Sequence, residues 1–395
     1  MGGMDVGLGA EVSSGAARVP DVGAASKLCA DVVAVQDRLR SGTAASARGL
    51  PDLTGALGTL RRAGVLRSVL PPSMGGCDLG IGPGTSRPLG DLLRRIGRAD
   101  LALARVIEGH VNAAILVEVH GDPDARDGMR RAVADGALLG VWGADGDPPM
   151  EWLDRHDGQV ELHGAKRYAS GLGHVDHALV TARAREGAPA RMFLVPAGDP
   201  ARHDHDAWSA TAMRATRSGT FDATGMLVGG QACIGRAGDL VIEPWFEGGI
   251  WRYCAAHVGG AEGLIDLWVE HLDRTGRRGD PVQRSRLGRA MAATAAARAC
   301  VEAAADAVDA AAGAPRDRID SAVAQALLSR EAVEMLCVEV LGLAERALGM
   351  AAHDDRLPID RMRRDLSLFL RQAAPDAKLD RAVDLIARTG LGEVR

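Results

Sequence analysis

The stretch from residue 138 to residue 235 constrains the fold most, because it lacks the helical spacing of the long segments on either side. Its apolar runs are short and are separated by Gly, Asp and Pro; they occupy residues 138–142, 160–162, 178–181, 192–195, 220–222 and 226–228. Short runs bounded by turn residues are typical of β-strands. We therefore expect a β module between two helical blocks, with a binding site where the three meet.

Apolar residues at three-to-four spacing predict long helices after the β module. They cover residues 251–274, 281–312 and 321–348, with one or two more helices in 361–388. Long amphipathic helices joined by short loops favour an antiparallel bundle. Before the module, 28–39 predicts a first helix, and Asp100 stands where the N-cap of a later helix belongs.

These patterns predict an α+β fold with an N-terminal helical domain, a middle β-barrel-like domain and a C-terminal four-helix bundle. The expected boundaries are a frayed N-terminus at 1–24, then domains at 25–136, 137–238 and 239–395. A chain of 395 residues is long enough for two or three domains.

Composition excludes several classes of function. The net charge is −5, with acids and bases interspersed, which argues against a nucleic-acid surface. No apolar run reaches the roughly twenty residues that a transmembrane helix needs. The six cysteines show no CxxC spacing, and no secretory signal precedes the first helix, so a reducing, cytoplasmic location is expected.

Chemical motifs are few when the residues are considered alone. There is no P-loop, no G-x-G-x-x-G opening a βαβ unit and no HExxH. The run His203-Asp204-His205-Asp206 lacks a third ligand at a fitting spacing, so a solvated loop is favoured over a metal site. Tyr168 precedes Ser170 by two residues, and in an extended segment both share one face, where they can stack on and hydrogen-bond to a planar ring.

Five local motifs, in order along the chain, resemble those of the acyl-CoA dehydrogenase superfamily of flavoproteins. Residues 164–170, Gly-Ala-Lys-Arg-Tyr-Ala-Ser, stand where the family writes G-x-K-x-W-I-T/S. Residues 357–365, Leu-Pro-Ile-Asp-Arg-Met-Arg-Arg-Asp, resemble its Y-P-V-E-R-x-x-R-D helix start. The other three matches are 96–104 to the N-terminal helical signature, 141–146 to the flavin loop and 214–218 to G-x-R-x-S/T.

The resemblance implies an FAD site and assigns roles to particular residues. Tyr168 would pack beside the isoalloxazine ring, and Ser170 would hydrogen-bond near its N5 edge. Backbone groups of Trp142, Gly143 and Ala144 would meet the pyrimidine and ribityl side.

Two further family motifs are incomplete. Where the family has an Arg that reaches the flavin pyrophosphate of a neighbouring subunit, this chain has Thr275, flanked by Arg274, and Arg278 replaces the Phe of the same motif. Either Arg is a candidate for that contact. The adenosine-side turn G-G-x-G keeps one glycine, in residues 349–352.

The catalytic base of the family is missing. Its Glu follows the Arg-Asp helix, but residues 369–375 read Phe-Leu-Arg-Gln-Ala-Ala-Pro, with Ala373 among them. A base that removes a weakly acidic α-proton is typically worth roughly 10² to 10⁴ in rate. Some family members supply it from the first bundle helix, where Glu247 and Glu262 are the candidates, although capping or surface roles are favoured for both. The sequence therefore assigns no catalytic residue.

Three hypotheses follow from the resemblance. The first is an FAD-dependent oxidoreductase that acts on the CH–CH group of an acyl thioester, with an electron-transfer flavoprotein or a flavin reductase as partner. The second is a monooxygenase of the same fold that uses reduced flavin and oxygen and needs no α-proton base. The third is a degenerate, non-catalytic member. A homodimer or homotetramer is expected for the first.

Overall fold

The computed structural model describes residues 22–44, 52–372 and 374–390 of the chain. Ten α-helices lie in these ranges: α1 (Val22–Ala44), α2 (Thr54–Arg62), α3 (Ser86–Ala99), α4 (Leu101–His120), α5 (Pro123–Ala134), α6 (Trp251–Arg274), α7 (Pro281–Ala311), α8 (Arg316–Leu348), α9 (Pro358–Phe369) and α10 (Pro375–Thr389). Most of the N-terminus predicted to be frayed, residues 1–21, lies outside the described residues, as does Ala373.

Ten short strands separate the two helical blocks: β1 (Leu139–Trp142), β2 (Glu151–Asp154), β3 (Val160–His163), β4 (Ala165–Lys166), β5 (His177–Ala182), β6 (Arg191–Pro196), β7 (His203–Asp204), β8 (Thr220–Asp222), β9 (Met226–Val228) and β10 (Cys233–Ile234). They form three sheets, with strand orders β1-β5-β6-β10, β2-β3-β9 and β4-β8-β7. The predicted fold class is confirmed, but the strands of residues 137–238 do not close into a barrel.

Glycines bring α3 and α6 into direct backbone contact. A Cβ on Gly259 would lie 2.0 Å from the Arg94 carbonyl oxygen, and one on Gly263 would lie 2.4 Å from that of Arg98. Only a residue without a side chain fits at either position. This close packing fixes α6, and therefore its first turn, against the N-terminal block.

Helix α4 joins the N-terminal block to the β module. It begins at Asp100, whose Oδ1 accepts a hydrogen bond from the Leu103 N–H at 2.8 Å, so the predicted N-cap is confirmed. Further along α4, the His110 ring is fully buried; its Nε2 lies 2.9 Å from the Leu66 carbonyl oxygen, and its Nδ1 accepts from the Leu139 N–H at 3.0 Å. His110 therefore ties β1 to the helical block.

Helix α9 contacts the module from the C-terminal side. The buried Asp365 carboxylate accepts a hydrogen bond from the Met213 N–H at 2.5 Å. Arg361 donates to Asp100 at 2.6 Å and lies 3.4 Å from Asp365. The beginning of α4, the loop before β8 and α9 therefore meet at one seam. None of the described helices combines the length and apolar character needed to cross a membrane.

Candidate functional site

The end of β1 and the loop after β4 meet through Trp142. Its buried indole Nε1 donates to the Ser170 carbonyl oxygen at 3.0 Å. The Ser170 hydroxyl lies 3.3 Å from that of Ser218, which in turn lies 2.8 Å from that of Thr216. The structure thus brings two of the predicted cofactor-binding residues, Trp142 and Ser170, together beside a row of hydroxyl groups.

Lys166 anchors the predicted flavin loop, residues 141–146, through hydrogen bonds from its side chain. Its side chain is fully buried, and its Nζ donates to the Gly143 carbonyl at 3.2 Å, to Asp145 at 2.5 Å and to the Thr181 hydroxyl at 2.9 Å. The Ala144 carbonyl accepts from the Arg167 N–H at 3.0 Å. Burial lowers the pKa of Lys166, and Asp145 offsets part of that effect.

Tyr168 does not lie on a strand, contrary to the extended segment that its alternation with Ser170 suggested. Strand β4 ends at Lys166, and Tyr168 has a φ of 57°, in the left-handed region. The two side chains therefore do not share a strand face. The Tyr168 ring is 54% exposed and meets the Trp208 ring edge-on, with centroids 6.1 Å apart.

The two predicted arginines lie at the other end of α6. Arg274 contacts the His271 ring at 3.2 Å, and Arg278 pairs with Asp273 at 2.7 Å; both are exposed. No hydrogen bond in the described residues links either arginine to Tyr168 or Ser170. Their predicted contact was with the flavin of a neighbouring subunit, and it stays a prediction.

Both candidate bases are held in ion pairs. Glu247 pairs with Lys378 at 2.8 Å and lies 3.4 Å from Arg381. Glu262 faces α3, where it pairs with Arg94 at 2.6 Å. These partners belong to α10 and α3 and hold the carboxylates in structural roles.

Sequence reasoning missed a buried polar cluster between α4 and α6. On α4, the 2%-exposed Glu108 accepts from Arg105 at 2.6 Å and from the Asn112 amide, and the Asn112 Oδ1 has no described partner. The charge of Glu108 acts on Arg252 and Tyr253 in the first turn of α6. The spacing of residues 105, 108 and 112 on one helix face was the available signal.

The aromatic side of this cluster is uncharged. The buried His257 ring meets Phe369 edge-on at 4.5 Å and Tyr253 at 5.3 Å. Burial, reinforced by Arg330, lowers the pKa of His257 to about 3, so the ring is neutral at pH 7. Burial also raises the pKa of Tyr253 well above its ordinary value; its hydroxyl lies near Arg330 without a well-formed hydrogen bond.

A family model agrees with this architecture. The model described as acyl-CoA dehydrogenase, C-terminal domain, matches residues 252–371, from the first turn of α6 to the end of α9. Residues 252–371 are thus similar to the C-terminal domain of the acyl-CoA dehydrogenase family.

One relative is a monooxygenase by name. Dibenzothiophene monooxygenase of Mycolicibacterium goodii is 24% identical over 202 residues, which span 48% of this chain and 47% of that protein, or about half of each.

Two solved structures share the fold over most of their length. FMN-bound TdsC, a dibenzothiophene monooxygenase from Paenibacillus sp. A11-2, has a TM-score of 0.76 at 19% identity, covering 93% of this chain and 96% of its own. KijD3 in complex with FMN and a dTDP-sugar has a TM-score of 0.80 at 21% identity, with coverages of 95% and 96%.

Proposed function

We propose that this protein is a flavin-dependent monooxygenase that uses reduced flavin and molecular oxygen to oxidise a small molecule. The observation that carries the proposal is the state of the carboxylates around α6. Glu247, Glu262 and Glu108 are each held by one or more cationic partners, and none is left free to remove an α-proton. Monooxygenase chemistry needs no such base, whereas thioester dehydrogenation does.

The residues in the loop after β4 and in the loop before β8 fit a flavin. The exposed Tyr168 ring and the half-buried Trp208 offer an aromatic surface for a planar ring. The hydroxyl groups of Ser170 and Ser218 stand beside it. When bound and reduced, the flavin would supply the electrons that activate oxygen. The contribution of the chain would be to orient the ring and to keep water from it.

We infer that the flavin is FMN rather than the FAD that the family resemblance implied. The turn expected to meet the adenosine runs from Gly349 to His353, keeps one glycine, and leaves Met350 87% exposed. Two structures of the same fold hold FMN. Equilibrium dialysis against each flavin compares them directly, and tighter binding of FAD would reverse this choice.

We further infer that the chain associates with itself. Large apolar side chains are exposed to solvent on the bundle surface formed by α7 and α8, where Met335 is 65% exposed, Met291 50% and Val338 45%. Monomeric proteins rarely leave such a face uncovered. A second copy would cover it, in keeping with the expected role of Arg274 and Arg278 toward a neighbouring subunit.

The electron donor of the proposed monooxygenase would be a separate flavin reductase.

The proposal is tested by following the absorbance of the flavin-loaded protein without oxygen. Octanoyl-CoA, the dehydrogenase probe, is expected to leave the oxidised spectrum unchanged. NADH with a flavin reductase should bleach the spectrum, and admitting air should restore it. Bleaching by octanoyl-CoA alone would establish dehydrogenase chemistry and refute the proposal. Protein that takes up neither FMN nor FAD would support the degenerate, non-catalytic alternative.

A further inference from the structure

Arg252, in the first turn of α6, differs from the other buried arginines of the described residues. Its side chain belongs to a residue that is only 5% exposed, yet its one hydrogen bond runs from Nη2 to the Trp245 carbonyl oxygen at 3.3 Å. Its Nε has no partner. By contrast Arg94, 8% exposed, is paired with both Asp91 and Glu262.

No nearby carboxylate is free to neutralise Arg252. Glu108 and Glu243 attract it from a distance, but each is engaged elsewhere: Glu108 by Arg105 and Asn112, and Glu243 by the N–H groups of Glu247 at 2.9 Å and Gly248 at 3.0 Å. Burial therefore prevails and lowers the pKa of Arg252 to about 10. The guanidinium still carries its charge at pH 7.

A glycine three residues before Arg252 leaves the space that its guanidinium needs. A Cβ on Gly249 would lie 1.9 Å from the Arg252 Nη2, so the guanidinium occupies the space where a side chain at 249 would be. The Trp251 ring lies 5.7 Å away. A buried, unpaired charge is strongly unfavourable and is normally avoided unless it has a use. The adjacent N-terminus of a 24-residue helix also favours negative charge.

We propose that Arg252 binds an oxyanion of the substrate, so that the substrate is a small molecule carrying a carboxylate, sulfinate or phosphate group. This inference rests on the proposed function, because it takes the oxyanion to belong to the substrate of that reaction. Arg252 is thus a specificity-determining residue.

The effect of a substitution on the stability of the protein distinguishes a binding role of Arg252 from a structural one. Arg252→Met removes an unpaired buried charge and should leave the midpoint of urea unfolding unchanged or higher. Arg94→Met, the matched control, strands Asp91 and Glu262 and should lower that midpoint clearly. If Arg252→Met lowered the midpoint as much as Arg94→Met does, Arg252 would be structural and the proposal overturned.

Binding is tested on the full chain with benzoate and its neutral isostere benzamide, by thermal shift and calorimetry, with and without FMN. Benzoate should bind the wild type and lose at least tenfold in affinity in Arg252→Met, with a smaller loss in Arg252→Lys. Equal affinity for benzoate and benzamide, or no binding of benzoate, would overturn the proposal. Calorimetry of the wild type with FMN alone is run beside these titrations, and failure to bind FMN while benzoate still binds would refute the proposed function instead.

Discussion

Replacing Lys166 by Met tests whether the loop at the end of β1 is held from within the β module. The Lys166 ammonium is fully buried and donates to three acceptors, Gly143, Asp145 and Thr181. Met has a similar length and fills the same space without any donor. The change therefore removes the donor while conserving volume.

The expected loss follows from these three contacts. Removing one partner of a buried ion pair typically costs about 3–5 kcal/mol, but the Asp145 side chain is 36% exposed and regains water, so its share is at the low end. The Gly143 carbonyl and the Thr181 hydroxyl each lose a hydrogen bond worth about 1 kcal/mol. Allowing for the apolar gain of Met, we expect a net loss of about 3 kcal/mol in the free energy of unfolding.

Urea unfolding followed by circular dichroism measures this loss, and equilibrium dialysis measures FMN affinity. Lys166→Met should lose both stability and FMN affinity, because the loop at 143–145 is no longer held. Thr181→Val, the control, removes one of the three acceptors and should cost about 1 kcal/mol. A Lys166→Met protein as stable as the wild type, with unchanged FMN binding, would refute the role given to Lys166.

Three further outcomes are expected. Burial lowers the pKa of His110 to about 4, so between about pH 4 and 6.5 the unfolded chain binds a proton that the folded chain does not, and stability falls on acidification. Through this group, the free energy of unfolding in urea should be about 2 kcal/mol lower at pH 5 than at pH 7. A His110→Gln variant should lose this pH-dependent difference. Met335→Glu, on the bare face of the bundle, should lower the oligomeric state in analytical ultracentrifugation, and an unchanged sedimentation coefficient would argue against that interface. Asp100→Ala removes both the cap of α4 and the partner of Arg361, and a loss of less than about 1 kcal/mol in urea unfolding would contradict the seam described here.

The helices and the apolar strands were predictable because their periodicity is local. Helix α6 has the bounds that its spacing predicted, and α7 ends one residue earlier than expected, at Ala311. Strand β2 was missed because Glu151–Asp154 is largely exposed and alternates poorly. Whether the strands would close into a barrel was not predictable, since strand pairing depends on contacts between residues distant in sequence.

The candidate site was only partly predictable. The structure brings Trp142 and Ser170 into contact, while their roles toward a flavin stay predictions. The left-handed backbone at Tyr168 departs from the extended segment that its spacing from Ser170 implied. The cluster of Glu108 and Arg252 joins residues far apart in the chain, and a single sequence gives no signal that links them. Its recognition depends on burial and on partners, which are properties of the folded chain alone.

The most direct test of the central claim is the fate of oxygen. Full-length protein is supplied with FMN, NADH and a flavin reductase under isotopically labelled O₂, with indole and indole-2-carboxylate as probes, and the products are analysed by mass spectrometry. We expect one labelled oxygen atom per product molecule, formed faster from the carboxylate than from indole. Reduced flavin that is reoxidised without label in either product would contradict a monooxygenase function.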